Sequence, residues 1–151
     1  HGPVCPCGSR GCLELFTAAP ALAEQLRPAL SGGWPSDVSR NLTLDRVVEL
    51  TREGHPAARR VLRDSAHILG RVLAGVSNLL NPELVVIGGA LAAADEHYLA
   101  PLQETLHHHA LPIVADQLRV VPGRLGDRAG ALGAVALALR DATPLRAHGA
   151  A

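Results

Sequence analysis

Lysine and methionine are absent from the 151-residue sequence, and aromatic side chains are scarce. Its 14 basic residues are all arginine and are balanced by 14 acidic residues, so the formal net charge is zero. A nucleic-acid-binding module carries a basic face or stripe, and this charge balance argues against one. Since Phe16, Trp34 and Tyr98 are the only aromatic residues, the core must be built from Leu, Val, Ile and Ala.

Long apolar runs and targeting signals are also missing from the sequence. No run approaches the roughly 20 apolar residues that cross a bilayer, and no basic stretch followed by an apolar block indicates a signal peptide. We therefore expect a cytoplasmic protein without membrane contact. The chain is 48% hydrophobic, which is too apolar for a disordered tail and sufficient for one core. Because it opens at His1 rather than Met, we expect a piece of a longer protein.

The first half of the chain is predicted to be helical. A helical pattern runs from Leu13 to about Leu30, and the Gly- and Pro-rich stretch at 31–41 predicts a loop. Thr43 is typical of an N-cap for a short helix over 44–52. Pro56 opens the longest predicted helix, which Asn81-Pro82 ends near Leu80. The spacing of three and four predicts one continuous apolar face on that helix, made of Val61, Leu62, Ala66, Leu69, Val72, Leu73, Val76, Leu79 and Leu80.

Strands alternate with helices in the second half. Residues 83–89 form a short apolar run that ends in two glycines, which predicts a strand buried on both faces of a parallel sheet. A helix over about 95–109 precedes a second predicted strand at 117–121. A small-residue helix from about 127 to 139 closes the pattern, and the tail after it is expected to fray. This order predicts an α/β fold with right-handed crossovers.

All the cysteines of the chain, Cys5, Cys7 and Cys12, lie within eight residues of one another. Thiolates this close in a glycine-rich loop converge on one soft metal ion, and zinc takes four tetrahedral sulfur or nitrogen ligands. The alternatives are a disulfide with one thiol left over and a chance cluster of buried thiols. Three thiolates leave one coordination position open, which His1 or a residue upstream of the chain could fill.

Three motifs together resemble one protein family. Cys5 to Glu14, with the pattern Cys-x-Cys-Gly-x-x-Gly-Cys-Leu-Glu, is similar to the zinc signature of the ROK family, which groups bacterial sugar-responsive repressors with sugar kinases. The similarity continues over Asn81–Gly89 and over Leu125–Ala134, so it covers nearly the whole chain in order. The resemblance implies an actin-like, ribonuclease-H-type α/β ATPase fold with a zinc-binding loop and added helices, of which this chain is the C-terminal part.

The resemblance also implies roles for the residues of the first motif. In the family, the three cysteines bind a structural zinc together with a histidine at a position that here precedes residue 1, so His1 does not match it. Glu14 matches the acidic sugar ligand of the family, and a carboxylate can accept hydrogen bonds from two adjacent sugar hydroxyls. The alternative for Glu14 is a carboxylate that only favours a helix N-terminus. The family's catalytic aspartate lies upstream, so no catalytic residue is assigned to this chain.

Two glycine-rich segments admit a ligand or a packing interpretation. Gly88 and Gly89 resemble part of the ATP site of the kinase members, although Ala90 stands where kinases often carry a third glycine. We favour a vestigial site, in which small residues serve a closely packed strand-to-helix turn. The stripe of Gly126, Ala129, Gly130 and Gly133 predicts close helix packing without a ligand.

The histidines outside the first motif are not expected to bind a metal. His107, His108 and His109 fall at the predicted C-terminus of a helix, where partial positive charge is favourable and solvent exposure is expected. His55 and His67 show no partner in the sequence.

Three functions follow from these motifs. We favour the C-terminal sugar-binding effector part of a ROK transcriptional regulator, a repressor of carbohydrate genes with an absent N-terminal winged helix that contacts DNA. The alternatives are the C-terminal lobe of an ATP-dependent, glucokinase-like hexose kinase and a structural zinc module without ligand. The expected partners are a sugar or sugar-phosphate effector, DNA through the absent domain, and further copies in a homo-oligomer. We divide the chain into a zinc-loop motif at 1–14, a helical segment at 15–55, an α/β core at 56–141 and a flexible tail at 142–151.

Overall fold

The described part of the chain is mostly helical, with one small sheet. The computed structural model describes residues 2–30 and 42–142. In chain order its regular elements are α1 Glu14–Thr17, α2 Ala19–Leu30, α3 Leu44–Arg52, α4 Pro56–Leu80, β1 Leu84–Ile87, a 3₁₀ helix Ala90–Ala94, α5 Glu96–His109, α6 Pro112–Ala115, β2 Arg119–Pro122, a 3₁₀ helix Gly126–Arg128 and α7 Ala129–Ala142. The predicted loop at 31–41 and nearly all of the predicted tail lie outside the described residues.

The ends of α3 and α4 follow the predicted capping signals. The hydroxyl of Thr43 accepts a hydrogen bond from the backbone N–H of Arg46 at 3.4 Å, which satisfies one free donor at the start of α3. Pro56 occupies the first turn of α4, and Asn81 ends this helix in a left-handed conformation with φ of 47°. The start of α3 and the two ends of α4 therefore lie where the capping residues in the sequence predict them.

The core forms where α4 packs against α2, α3 and α5. Its fully buried side chains are mostly leucine, with Tyr98 as the largest. The Tyr98 hydroxyl lies 3.4 Å from the hydroxyl of Ser65 across the α4–α5 contact. The buried side chains of the core include Leu22, Leu26, Leu30, Val47, Leu50, Leu62, Tyr98, Leu102, Leu106 and Leu118.

The predicted continuous apolar face of α4 is only half correct. Leu62 and Ala66 are buried as predicted, but Val72, Val76, Leu79 and Leu80 are exposed, Leu79 by 83%. The C-terminal half of α4 instead buries a stripe of small residues, Gly70, Ala74 and Ser77. Small side chains let the backbone of α5 approach α4 closely, so this stripe rather than the larger apolar one faces the partner helix.

The two strands pair in parallel, with Leu84 opposite Arg119 and Ile87 opposite Pro122. The prediction that β1 is buried on both faces is wrong for the described structure. Val85 and Ile87 pack against the core. In contrast, Leu84 is 45% exposed and Val86 57% exposed on the other face. No described element covers that outer face, although parallel sheets usually have both faces covered.

Helix α7 has no packed face among the described residues. Every residue of Ala129–Arg140 is exposed, and a methyl group added at Gly130 or Gly133 would meet no heavy atom within 4 Å. The close helix packing predicted from the small-residue stripe is therefore not found within the described residues. Across the same residues, the helices are too short or too polar to cross a lipid bilayer.

Candidate functional site

The first eleven described residues form a tight loop that gathers the three cysteines. Val4 and Arg10 pair as an antiparallel bridge. The backbone N–H of Cys5 donates to the carbonyl of Ser9 at 2.8 Å, and that of Gly8 donates to the carbonyl of Cys5 at 2.9 Å. The chain turns at Gly8, whose φ is 86°. Residues other than glycine rarely adopt this backbone conformation. These backbone bonds hold the two sides of the loop together.

The three sulfur atoms have the spacing of a metal-binding site. They lie within 4.8 Å of one another, and the Cys7 and Cys12 sulfurs are 3.6 Å apart. Tetrahedral zinc with Zn–S bonds of about 2.3 Å requires sulfurs about 3.8 Å apart, so this donor set fits the ion. All three cysteines are free thiols and Cys7 is exposed. The structure thus contains neither the disulfide alternative nor a buried cluster of thiols.

The acidities of the thiols reflect their closeness. A backbone hydrogen bond with Ser9, followed by contacts with the Cys5 and Cys12 thiols, lowers the pKa of Cys7 from its usual value. Hydrogen bonding with Cys7 and then Cys5 raises the pKa of Cys12 to about 11. Unequal ionisation of this kind is expected when neighbouring thiols share one negative charge, and a bound cation would favour the deprotonated form of each.

Glu14 lines a groove beside the cysteine loop. It opens α1, two residues after Cys12, and its carboxylate has no hydrogen-bond or ion-pair partner among residues 2–30 and 42–142. The groove has a volume of about 530 Å³ and is lined by three prolines, two alanines, one leucine, Glu14, Glu24 and Gln25. Helix α1 has only four residues, so a helix dipole offers little reason for a carboxylate at this position.

Sequence reasoning missed Glu24 and Gln25 of this groove. Glu24 forms an ion pair with Arg27 at 2.8 Å. In the sequence, Glu24 and Arg27 are three residues apart in a predicted helix, a spacing that is typical of exposed ion pairs and does not indicate a binding site. The recurrence of proline at 3, 6 and 20 is the signal that could have indicated a shared apolar wall.

Gly88 and Gly89 lie far along the chain from the cysteine loop, at the carboxyl end of β1. The packing interpretation that we favoured for them is wrong for the described residues, because a methyl group added at either glycine meets nothing within 4 Å. Gly89 has φ of 72°, so the turn needs glycine for its backbone conformation. Gly123, which the sequence analysis did not single out, follows β2, and a methyl group added to it would lie 3.4 Å from Cα of Gly88. Glycines thus border the carboxyl ends of both strands, where ligands of open α/β sheets usually bind.

The histidines are distributed as structural and surface residues. His67, for which the sequence showed no partner, lies 2.6 Å from the hydroxyl of Thr105 through Nδ1. Nε2 of His107 lies 3.1 Å from the carbonyl of Leu118, while His108 and His109 are exposed as predicted. A second groove of about 600 Å³ between α4 and α5 includes His67, His108 and His109, but none of the predicted site residues.

Comparison with known proteins shows one consistent family. A family model described as "ROK family" matches residues 1–141. The glucokinase of Thermotoga maritima is 31% identical over 143 residues, which are 91% of this chain and 45% of that protein. The DNA-binding transcriptional dual regulator NagC of Escherichia coli K12 is 31% identical over 140 residues, which are 92% of this chain and 34% of that protein. The chain therefore spans less than half the length of these curated relatives.

Solved structures agree with the sequence comparison. A ROK family transcriptional regulator, described as a homolog of the E. coli MLC protein, superimposes with a TM-score of 0.73 at 27% identity. The match covers 81% of this chain and 31% of that regulator. The structural neighbours are sugar kinases and regulators with an actin-like fold, which confirms the predicted fold class.

Proposed function

The chain belongs to the ROK family, and from this premise we propose that it is the sugar-binding effector part of a transcriptional regulator. The relatives include both repressors and glucokinases, so family membership alone supports a sugar-related protein of either type. In the complete protein, an N-terminal winged helix would contact DNA and this part would bind the sugar that controls it.

The sugar site is proposed at Glu14, and the observation that carries it is the place of this carboxylate. It lines a groove with an apolar wall, and no described side chain is hydrogen-bonded to it or ion-paired with it. Apolar surface suits the C–H face of a sugar ring, while a carboxylate accepts hydrogen bonds from adjacent hydroxyl groups. A groove that combines both is the arrangement that small polar ligands use for orientation and specificity.

We assign a structural zinc to Cys5, Cys7 and Cys12, with the fourth ligand supplied by a residue that precedes this chain in the complete protein. Zinc at this position would cross-link the loop through its sulfurs. Because only Leu13 separates Cys12 from Glu14, fixing Cys12 also fixes the start of α1 and the direction of the carboxylate.

The preference for a regulator over a kinase rests on the turn after β1. From Gly88 to Ala94 the chain offers no polar side chain, and Ala92 and Ala94 are buried. A working ATP site is expected to hold the nucleotide with polar groups as well as backbone amides. The second candidate, an ATP-dependent hexose kinase, is favoured by the open space beside Gly88 and Gly89, where a nucleotide could approach the backbone.

Control of DNA binding by the sugar requires two states with different sugar affinity. If the ligand binds one closure of the complete protein more tightly, it shifts the population toward that closure, and the DNA-binding end changes with it. Glu14 would contribute the differential contact through the hydrogen bonds that its carboxylate accepts from the sugar.

Operator binding by the complete protein tests this proposal. We expect added sugar to change operator affinity, and Glu14→Gln to abolish that change while DNA binding without sugar persists. Glu49→Gln is the matched control, since Glu49 is also an exposed helical carboxylate but lies outside the groove. Phosphorylation of a hexose with ATP by the wild-type protein would contradict the regulator and establish the kinase.

A further inference from the structure

The groove beside Glu14 combines two carboxylates with an absence of cationic side chains among its described lining residues. Glu14 and Glu24 both line it, and its third polar residue, Gln25, is uncharged. Gln25 donates from its side-chain amide to the carbonyl of Leu15 at 3.5 Å, so it is oriented toward the protein. The groove therefore presents negative charge on an otherwise apolar wall.

The positive charge beside Glu24 is already engaged by that residue. Arg27 lies one turn along α2 from Glu24, and its Nη2 donates to Oε1 of Glu24 at 2.8 Å. Its Nε lies 3.2 Å from each of the two carboxylate oxygens. Arg27 is not among the groove-lining residues. Its guanidinium is thus directed at Glu24, and a ligand in the groove would have to displace that carboxylate to reach it.

Glu24 remains charged in this pair. The hydrogen bond from Arg27, together with its positive charge, lowers the pKa of Glu24 from its usual value. At neutral pH an incoming anion would therefore meet the Glu14 carboxylate, and it would find the charge of Arg27 already balanced by an ionised Glu24.

We infer that this groove selects an uncharged sugar over its phosphate esters, and that Glu24, held by Arg27, is the residue that determines this specificity. The inference rests on the proposed sugar site and narrows the ligand from "sugar or sugar phosphate" to the neutral sugar. Negative charge in the groove disfavours the phosphate esters, whereas the apolar wall and the Glu14 carboxylate can both contact the neutral sugar. For a phosphate dianion about 8 Å from one carboxylate in water, Coulomb repulsion corresponds to roughly a fivefold loss of affinity.

Isothermal titration of the complete protein at low ionic strength tests the inference. The probes are glucose and N-acetylglucosamine, each compared with its 1-phosphate and 6-phosphate. We expect the neutral sugar that binds to do so about fivefold or more tightly than both of its phosphates, and the preference to shrink with added salt. A phosphate that binds as tightly as its parent sugar overturns the inference and leaves the proposed sugar site intact. Binding of none of the six probes overturns the proposed sugar site as well.

Glu24→Gln tests the residue assignment directly. This change removes one negative charge and the ion pair that holds Arg27 at Glu24, so it should raise the affinity for the phosphates relative to the parent sugar by about threefold or more. Glu49→Gln is a close control, because Glu49 is likewise paired with an arginine three residues away, Arg46, at 2.9 Å. The control should leave the ratio unchanged. An unchanged ratio in Glu24→Gln would overturn the role of this residue.

Discussion

Two glycines of α4 give a sharp test of how this helix meets α5. A methyl group added at Gly70 would lie 2.8 Å from the carbonyl oxygen of Leu102 and 2.8 Å from Cβ of Thr105. Real Cβ atoms do not approach other atoms this closely, and Leu102 contributes a backbone atom that cannot move unless α5 moves. Gly75, five residues further along the same helix, has no heavy atom within 4 Å of the same added methyl.

The two alanine variants should therefore change stability in opposite directions. Replacing glycine with alanine inside a helix gains about 0.5–1 kcal/mol from backbone entropy, and Gly75→Ala should show this gain in full. At Gly70 the same gain competes with an overpacking cost of about 1–3 kcal/mol, so Gly70→Ala should be destabilised by roughly 0.5–2 kcal/mol.

Urea unfolding followed by circular dichroism measures both free energies. With a slope of about 1.5 kcal/mol per molar urea, the two midpoints should differ by roughly 1 M or more. Equal stabilisation by both substitutions would refute the close α4–α5 contact. The denaturant slopes of the two variants must be compared before the midpoints are interpreted. A slope reduced in only one variant signals a change in the unfolded or native ensemble rather than in the α4–α5 contact.

Two further predictions concern the metal and the buried tyrosine. The complete protein should carry about one zinc per chain by elemental analysis and lose it in Cys12→Ser, whereas a zinc-free wild type would exclude the structural metal. Burial raises the pKa of Tyr98, with partial opposition from its hydrogen bond with Ser65. The unfolded chain then ionises first, so stability from the neutral phenol is complete below about pH 10 and falls above it by at most about 1.4 kcal/mol per pH unit. Tyr98 is the only tyrosine and the chain has no lysine, but the raised pKa of Cys12 also lowers stability at alkaline pH. Tyr98→Phe should therefore reduce this alkaline fall in urea midpoints without removing it, and an unaltered fall would contradict the assignment.

Helix boundaries could be predicted from the sequence because their causes are local. Thr43 and Pro56 set the starts of α3 and α4 through groups within one turn, and Asn81-Pro82 ends α4 in the same way. None of these signals depends on how the rest of the chain packs. The alternation of helices and strands follows from the same local patterns, so the α/β class was predictable as well.

The packed face of α4 could not be predicted because two stripes compete for it. Val72, Val76 and Leu79 satisfy helical periodicity as well as Gly70, Ala74 and Ser77 do. Apolar size favours the first stripe, whereas close approach of another helix favours the second. The choice depends on α5, whose position is a tertiary property, so periodicity alone selected the larger side chains and was wrong.

Tertiary packing also decides whether the outer face of the sheet and the surface of α7 are buried, so the sequence could not predict either. Leu84 and Val86 have the composition of a strand covered on both sides, and α7 is apolar around most of its circumference. Composition indicates that these surfaces suit burial but does not identify the polypeptide that covers them. Within the described residues these surfaces are exposed, and the chain spans 45% and 34% of the two relatives compared above.

The candidate site also has one part with a local cause and one part with a tertiary cause. Cys5, Cys7, Cys12 and Glu14 belong to one ten-residue segment whose own backbone hydrogen bonds bring the sulfurs together, and the sequence motif was enough to find them. The groove depends on α2 folding back beside that loop, which places Glu24 near Glu14 although ten residues separate them. A contiguous motif can therefore specify the proposed contact with a sugar hydroxyl, whereas the charge around the rest of the proposed site is determined by packing. The proposed selectivity for the ligand therefore depends on the packing of α2 and could not be inferred from the motif alone.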